Sequence, residues 1–184
     1  MIHIFRSFLY IVLFIFSIVL MSLCAVRIHY TEHLSPFDPL NDGVRFYDPI
    51  VALLLATSLL TILWSAFVGH TIHGRHERRI IGTFLHEFLG LGVLFILWLV
   101  GAAIATVTSN VPTLLTRWGN LSSCWHYSTC RILTALLAFA WLGWIVVLAL
   151  LLTTLLFALA NRAWNEQMHG RWDPRATRYR DSRV

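Results

Sequence analysis

Four histidines and one acid are the residues here whose types and spacing suit chemistry. His70, His73 and His76 form an H-x2-H-x2-H series, and His86 and Glu87 follow. Imidazoles at that spacing can bind zinc or copper, and one from each of two neighbouring helices can ligate haem. A membrane redox or cofactor-binding protein using His70, His73, His76 and His86 is therefore one reading. Against it, Gly74 interrupts the series, and histidine is common at basic interfaces. Solvated or lipid-facing histidines are the preferred reading, with no cofactor and no metal. Glu87 sits one to two turns inside an apolar segment, where an acid is costly and usually paired or functional. A salt bridge or snorkelling contact with Arg78, Arg79 or His86 is the expectation. A small transporter centred on Glu87 would want a second buried acid on another apolar segment, and the sequence offers none.

The second reactive pair is Cys124 and Cys130, spaced C-x5-C ahead of a long apolar run. Membrane thiol oxidases commonly use C-x-x-C with a second relay pair. Cys24 is the only other cysteine, so a structural disulfide is expected and no catalytic one. No HExxH, GxSxG or Gly-rich phosphate loop is present, and the chain reads as non-enzymatic.

These residues are positioned by four apolar blocks. The 184-residue chain is 58% hydrophobic and 12% charged, too apolar for a soluble domain of this size. Each block reaches the roughly 20 residues that cross about 30 Å of hydrocarbon. The fold class expected is all-α integral membrane, a four-transmembrane-helix bundle with spans at about 4–28, 49–69, 82–108 and 130–160. Residues 1–162 form one domain, and 163–184 an Arg-rich tail read as largely disordered. The first block is longer than a signal-peptide core and reads as a mature span or uncleaved anchor. Asp48-Pro49 has the form of a helix start.

All fourteen basic residues are Arg, and their placement sets the topology. The connector 71–81 and the tail hold Arg75, Arg78, Arg79, Arg162, Arg171, Arg175, Arg178, Arg180 and Arg183. The other two connectors carry only Arg45 and Arg117, with Arg27 and Arg131 at span ends. Positively charged loops stay cytoplasmic, which predicts an M-shaped topology with both termini cytoplasmic. Cys124 and Cys130 then face an oxidising space, where a bridge persists, and Asn120 of the Asn-Leu-Ser sequon becomes a glycosylation candidate. The exoplasmic side offers no matching pair of histidines within spans. The tail residues Arg171, Arg175, Arg178, Arg180 and Arg183 are expected to face anionic head groups. Nucleic acid is not an expected partner, because no basic stripe with stacking aromatics lies on a soluble domain.

Packing signals complete the reading. Gly90, Gly92, Gly101, Ala102 and Ala105 lie in the third block, and small residues let helices approach closely in lipid. Packing within a left-handed four-helix unit is expected ahead of a homodimer face. Cys24 reads as a small lipid- or helix-facing residue. Trp98, Trp118, Trp125, Trp141, Trp144 and Trp164 lie mainly near span ends, as head-group depth favours. Trp141 and Trp144 sit deeper, one turn apart, and are expected to pack against another span. A sterol or quinone contact there is conceivable on these residues but unsupported by them.

Four spans, cytoplasmic termini and a disulfide loop before the fourth span resemble the MARVEL-domain proteins. LWLVGAAIAT at 97–106, and C-x5-C followed by AFAWLGWI at 138–145, are similar to the fungal branch of that family. The resemblance covers about residues 1–162. It implies a non-enzymatic membrane-organising protein acting in membrane apposition, lipid-domain organisation or vesicle trafficking, at the plasma membrane or an endomembrane. Its implied partners are membrane lipids, sterol among them, and other membrane proteins or further copies of itself. The family supplies no catalytic residues to carry over.

Overall fold

The computed structural model of the chain describes residues 2–33, 48–73, 84–106 and 126–161. These form four helices, α1 (Ile2–Glu32), α2 (Pro49–His73), α3 (Phe84–Thr106) and α4 (Ser128–Asn161). The shortest has 23 residues, about 35 Å at 1.5 Å per residue, so each is long and apolar enough to cross a membrane. Three of the four exceed their sequence-predicted limits. Both ends of α1, the end of α2 past Gly69 and the start of α4 continue as helix beyond the limits read from sequence, while α3 is described over Phe84–Thr106, within the expected 82–108. Hydropathy marks where apolar residues stop, whereas a helix stops where its backbone hydrogen bonds do. Pro49 opens α2 as expected, and the Ala52 amide donates to the Asp48 carbonyl at 3.4 Å.

Burial repeats with one period in every helix. On α1 the buried positions are 6, 10, 13, 17, 20, 24, 27 and 31; on α4, beyond its buried first turn, they run 133, 136, 140, 143, 147, 150, 154 and 158. Alternating steps of three and four average 3.5 residues, and a strict 3.5 repeat keeps one seam facing its neighbours through a left-handed supercoil. The helices close a ring in which α1 packs on α2 and α4, and α3 on α2 and α4. Sequence neighbours run antiparallel. Trp64 meets Gly90 near one end of the α2–α3 seam, and Leu54 meets Gly101 towards the other.

The buried seam and the outer surface differ little in apolarity. Outside stand Phe8, Leu63, Ile96 and Leu156, each more than half exposed. Inside lie Leu13, Leu20, Cys24, Leu54, Leu91, Leu136 and Leu150, together with most of the described buried polar groups. Thr57, Thr61 and Ser65 donate to the carbonyls of Leu53, Thr57 and Thr61 at 2.7–2.8 Å. Each hydroxyl is thus satisfied by its own helix, the usual solution where water is scarce.

Trp98 is the central packing unit, and here the head-group expectation fails. The side chain is fully buried near the middle of α3, with its indole Nε1–H donating to Thr61 Oγ1 at 3.0 Å. Gly143 of α4 lies under its ring, so the indole occupies space that another residue at 143 would need. The small residues of α3 likewise act differently from a backbone-to-backbone approach. Gly90 and Gly101 receive the Trp64 and Leu54 side chains, whereas Gly92 faces open space. Trp141 and Trp144 pack on α3 as expected, through Trp141 Nε1–H to Thr106 Oγ1 at 3.0 Å and a 5.5 Å ring contact between Phe95 and Trp144.

A β-carbon at Gly143 would sit 2.3 Å from the Trp98 ring, whereas one at Gly92 meets nothing within 4 Å. Gly143→Ala should therefore lower stability by about 1–3 kcal/mol through overpacking. Gly92→Ala should be neutral or stabilising by up to about 1 kcal/mol, since Ala is the better helix former. Thermal unfolding of the two variants in mild detergent, followed by circular dichroism, distinguishes them. Equal melting temperatures would show that Trp98 does not need the space over Gly143.

Candidate functional site

The buried ionisable groups form two clusters, one at each end of the ring. At the end holding the start of α1 and of α3, Arg6, Tyr10 and Glu87 converge. Arg6 and Tyr10 lie four residues apart on the buried seam of α1, one helical turn, so both point at the same neighbour. Glu87 occupies the first turn of α3. The Arg6 guanidinium forms an ion pair with Glu87 Oε2, and Tyr10 Oη donates to Glu87 Oε1 at 2.7 Å. Arg6 and Glu87 are 1% and 0% exposed, so the pair is sealed from its surroundings. Helices α1 and α3 face each other across the ring, and this pair ties that diagonal.

The structure adds a partner for Glu87 beyond those that the sequence suggested. Its acid is met from α1, a helix remote in sequence, while Arg78 and Arg79 lie outside the described residues. Arg6, near the start of the first span, is buried. The physical reason is register. The parallel placement of α1 and α3 brings their first turns to one level, and each charge there offsets the other's desolvation. A signal existed in the sequence, since Arg6, Ser17, Cys24, Arg27 and Thr31 all share one 3.5-residue seam with Tyr10. Without knowledge of which helix lies opposite, that seam names no partner.

At the opposite end, Arg27 Nε lies 3.9 Å from Asp48 Oδ2, with both side chains more than nine-tenths buried. The Arg27 guanidinium also stands 5.3 Å from the Tyr30 ring centre. Asp48 was expected only as a helix cap, and it also braces α1 against α2. Cys24 is fully buried and faces the other helices.

The histidines are distributed differently from the site that sequence spacing suggested. His70 is exposed in the last turns of α2, and His86 is half-buried in the first turn of α3. The side chain of His73, and His76 altogether, lie outside the described residues. Among the described residues no three His, Cys, Asp or Glu side chains gather as a metal-binding group. Cys130 is buried in the first turn of α4. Cys124, Asn120 and the tail residues Arg171, Arg175, Arg178, Arg180 and Arg183 fall outside the described residues, as do Trp118, Trp125 and Trp164.

One further feature adjoins the buried pair. Ser7, Tyr10, Ile11 and Phe14 of α1 face Ser65, Ala66 and Gly69 of α2 across a groove of about 260 Å³. Tyr10 is shared, with its ring on the groove and its hydroxyl on Glu87. Glu87 is held by two donors, one on each oxygen.

Removing one partner of a buried ion pair costs about 3–5 kcal/mol, because the other charge is left uncompensated. Glu87→Leu and Arg6→Met should each destabilise on that scale. The double variant should recover most of the loss, since apolar replacement of both partners is close to neutral. Chemical denaturation of the four proteins of this cycle in detergent measures the coupling. Additive losses would show that the two charges do not depend on each other.

No family model, curated protein or solved structure matches the chain.

Proposed function

We propose that this is a multi-pass membrane protein that organises the bilayer around it and performs no chemistry of its own. The observation that carries the reading is the orientation of its polar groups. Ion pairs and core hydroxyls face inward, while the outer faces of four membrane-length helices present Phe, Leu, Ile and Val. Such a surface is stable only against lipid or other apolar helices. Roles in membrane apposition, lipid-domain organisation or vesicle trafficking follow from the resemblance to MARVEL-domain proteins rather than from any single residue. The M-shaped topology with cytoplasmic termini rests on the nine Arg of connector 71–81 and the tail. A Cys124–Cys130 bridge would then close the exoplasmic loop next to α4, and Asn120 would carry any glycan. The tail Arg would hold anionic head groups by charge.

Against the transporter alternative stands the pairing of Glu87 with Arg6 and Tyr10. The His-ligated redox alternative retains His70 and His86 at one end of the ring. An absorption spectrum of the purified protein before and after reduction decides it, a Soret band favouring the redox reading.

Two measurements test the proposal. A peptide spanning 162–184 should bind phosphatidylserine vesicles and lose most of that binding between low and physiological salt, as a screened polybasic contact must. Salt-insensitive binding would remove the electrostatic role of the tail. In unreduced protein, denatured to expose all thiols, one of the three cysteines should alkylate, and all three after reduction. Alkylation of all three without reductant would mean that the Cys124–Cys130 bridge does not form.

A further inference from the structure

We propose that His29 and His33, at the end of α1, form a binding site for one divalent transition-metal ion, zinc. The inference is independent of the membrane-organising reading. Read from hydropathy, the first span ends near residue 28, which leaves both histidines in a connector with no fixed relation to each other. The structure carries α1 on to Glu32, and the His33 amide donates to the His29 carbonyl at 3.1 Å. The turn is therefore helical through His33, and the two side chains fall at positions i and i+4 of one face. Their rings lie stacked, with centres 4.5 Å apart and planes 16° from parallel. Two imidazoles one turn apart on one helix face are an arrangement by which a helix offers two nitrogens to a single zinc ion.

The tautomer suits that task. His33 Nδ1 lies 3.1 Å from the His29 carbonyl oxygen, and a carbonyl only accepts, so Nδ1 carries the proton. In the neutral ring Nε2 then keeps its lone pair for a metal. A backbone carbonyl on the other ring nitrogen is a common way of orienting a ligating imidazole. Both histidines are exposed, as is Glu32 beside them, so an ion reaches them without opening the bundle. Helix α1 has 31 residues, about 46 Å at 1.5 Å per residue, and its ends extend past roughly 30 Å of hydrocarbon. Glu32, three residues from His29, adds a negative charge near the same face. Arg27, two residues before His29, is buried and turned to Asp48 on the far side of the helix. Two imidazoles make an exchangeable site, with water in the further positions. Zinc imposes no d-electron geometry on such a set, and imidazole prefers zinc, copper and nickel to magnesium or calcium.

The test uses the full chain in mild detergent, with zinc chloride as the probe and carbethoxylation of histidines, mapped by mass spectrometry, as the readout. Zinc is expected to protect His29 and His33 together, with one titration midpoint, and magnesium to protect neither. His29→Ala should raise the zinc needed to protect His33 by about tenfold or more, because a lone imidazole loses the effective concentration that its neighbour supplies. His33→Ala should do the same to His29. Both positions are exposed, so without zinc the two variants should melt like the parent protein. His70→Ala, which removes an exposed histidine at the opposite end of the ring, should leave the midpoint at His29 and His33 unchanged. Separate midpoints for the two histidines would overturn the site, as would protection of His33 that is unaltered in His29→Ala. Equal protection by magnesium would overturn it too, and so would protection of neither residue at zinc concentrations that saturate free imidazole.

Discussion

A guanidinium and a carboxylate buried together between α1 and α3 constrain the whole ring. Each charge taken from water costs several kcal/mol, and neither is tolerable alone in an apolar bundle. Their mutual compensation requires the starts of two helices remote in sequence to lie at one level, with α2 and α4 closed around them. Tyr10 adds a second donor to Glu87 at 2.7 Å, so the carboxylate is held at both oxygens. The Arg27–Asp48 contact at the far end braces α1 against α2. Polar pairs thus peg the register at two levels of a bundle whose other contacts are nonspecific in chemistry.

Between those levels, shape does what polarity cannot. Where inside and outside are equally apolar, hydrophobicity gives little preference for one helix face, and packing and hydrogen bonds decide. Trp98 meets both needs, since its ring fills the space over Gly143 and its N–H reaches Thr61. The seats of Trp64 over Gly90 and Leu54 over Gly101 repeat the device along the α2–α3 seam. The same asymmetry between small and large side chains, turned outward, makes the α1–α2 groove.

On the proposed reading, the link from this fold to function runs through the surface that the bundle presents to the membrane. The buried acid is neutralised in place, Cys24 is sealed among apolar side chains, and the outer surface is suited to lipid. What the molecule can offer its surroundings is therefore shape and hydroxyls at its sides, and charge at its connectors and tail. The proposed role in arranging membrane components uses those assets.

Composition alone determined that there are four long apolar helices, because length and hydropathy are local properties that survive any packing. The helix start at Asp48-Pro49 and the inward packing of Trp141 and Trp144 were legible for the same local reason. The partner of Glu87, the burial of Arg6 and Arg27, and the central place of Trp98 were decided only by the tertiary structure. Each depends on which residue of another helix lies opposite, and in an apolar chain the usual contrast between buried and exposed faces is nearly absent. The polar residues on the 3.5-residue seam of α1 carried the face, and only the closed ring supplied what that face meets.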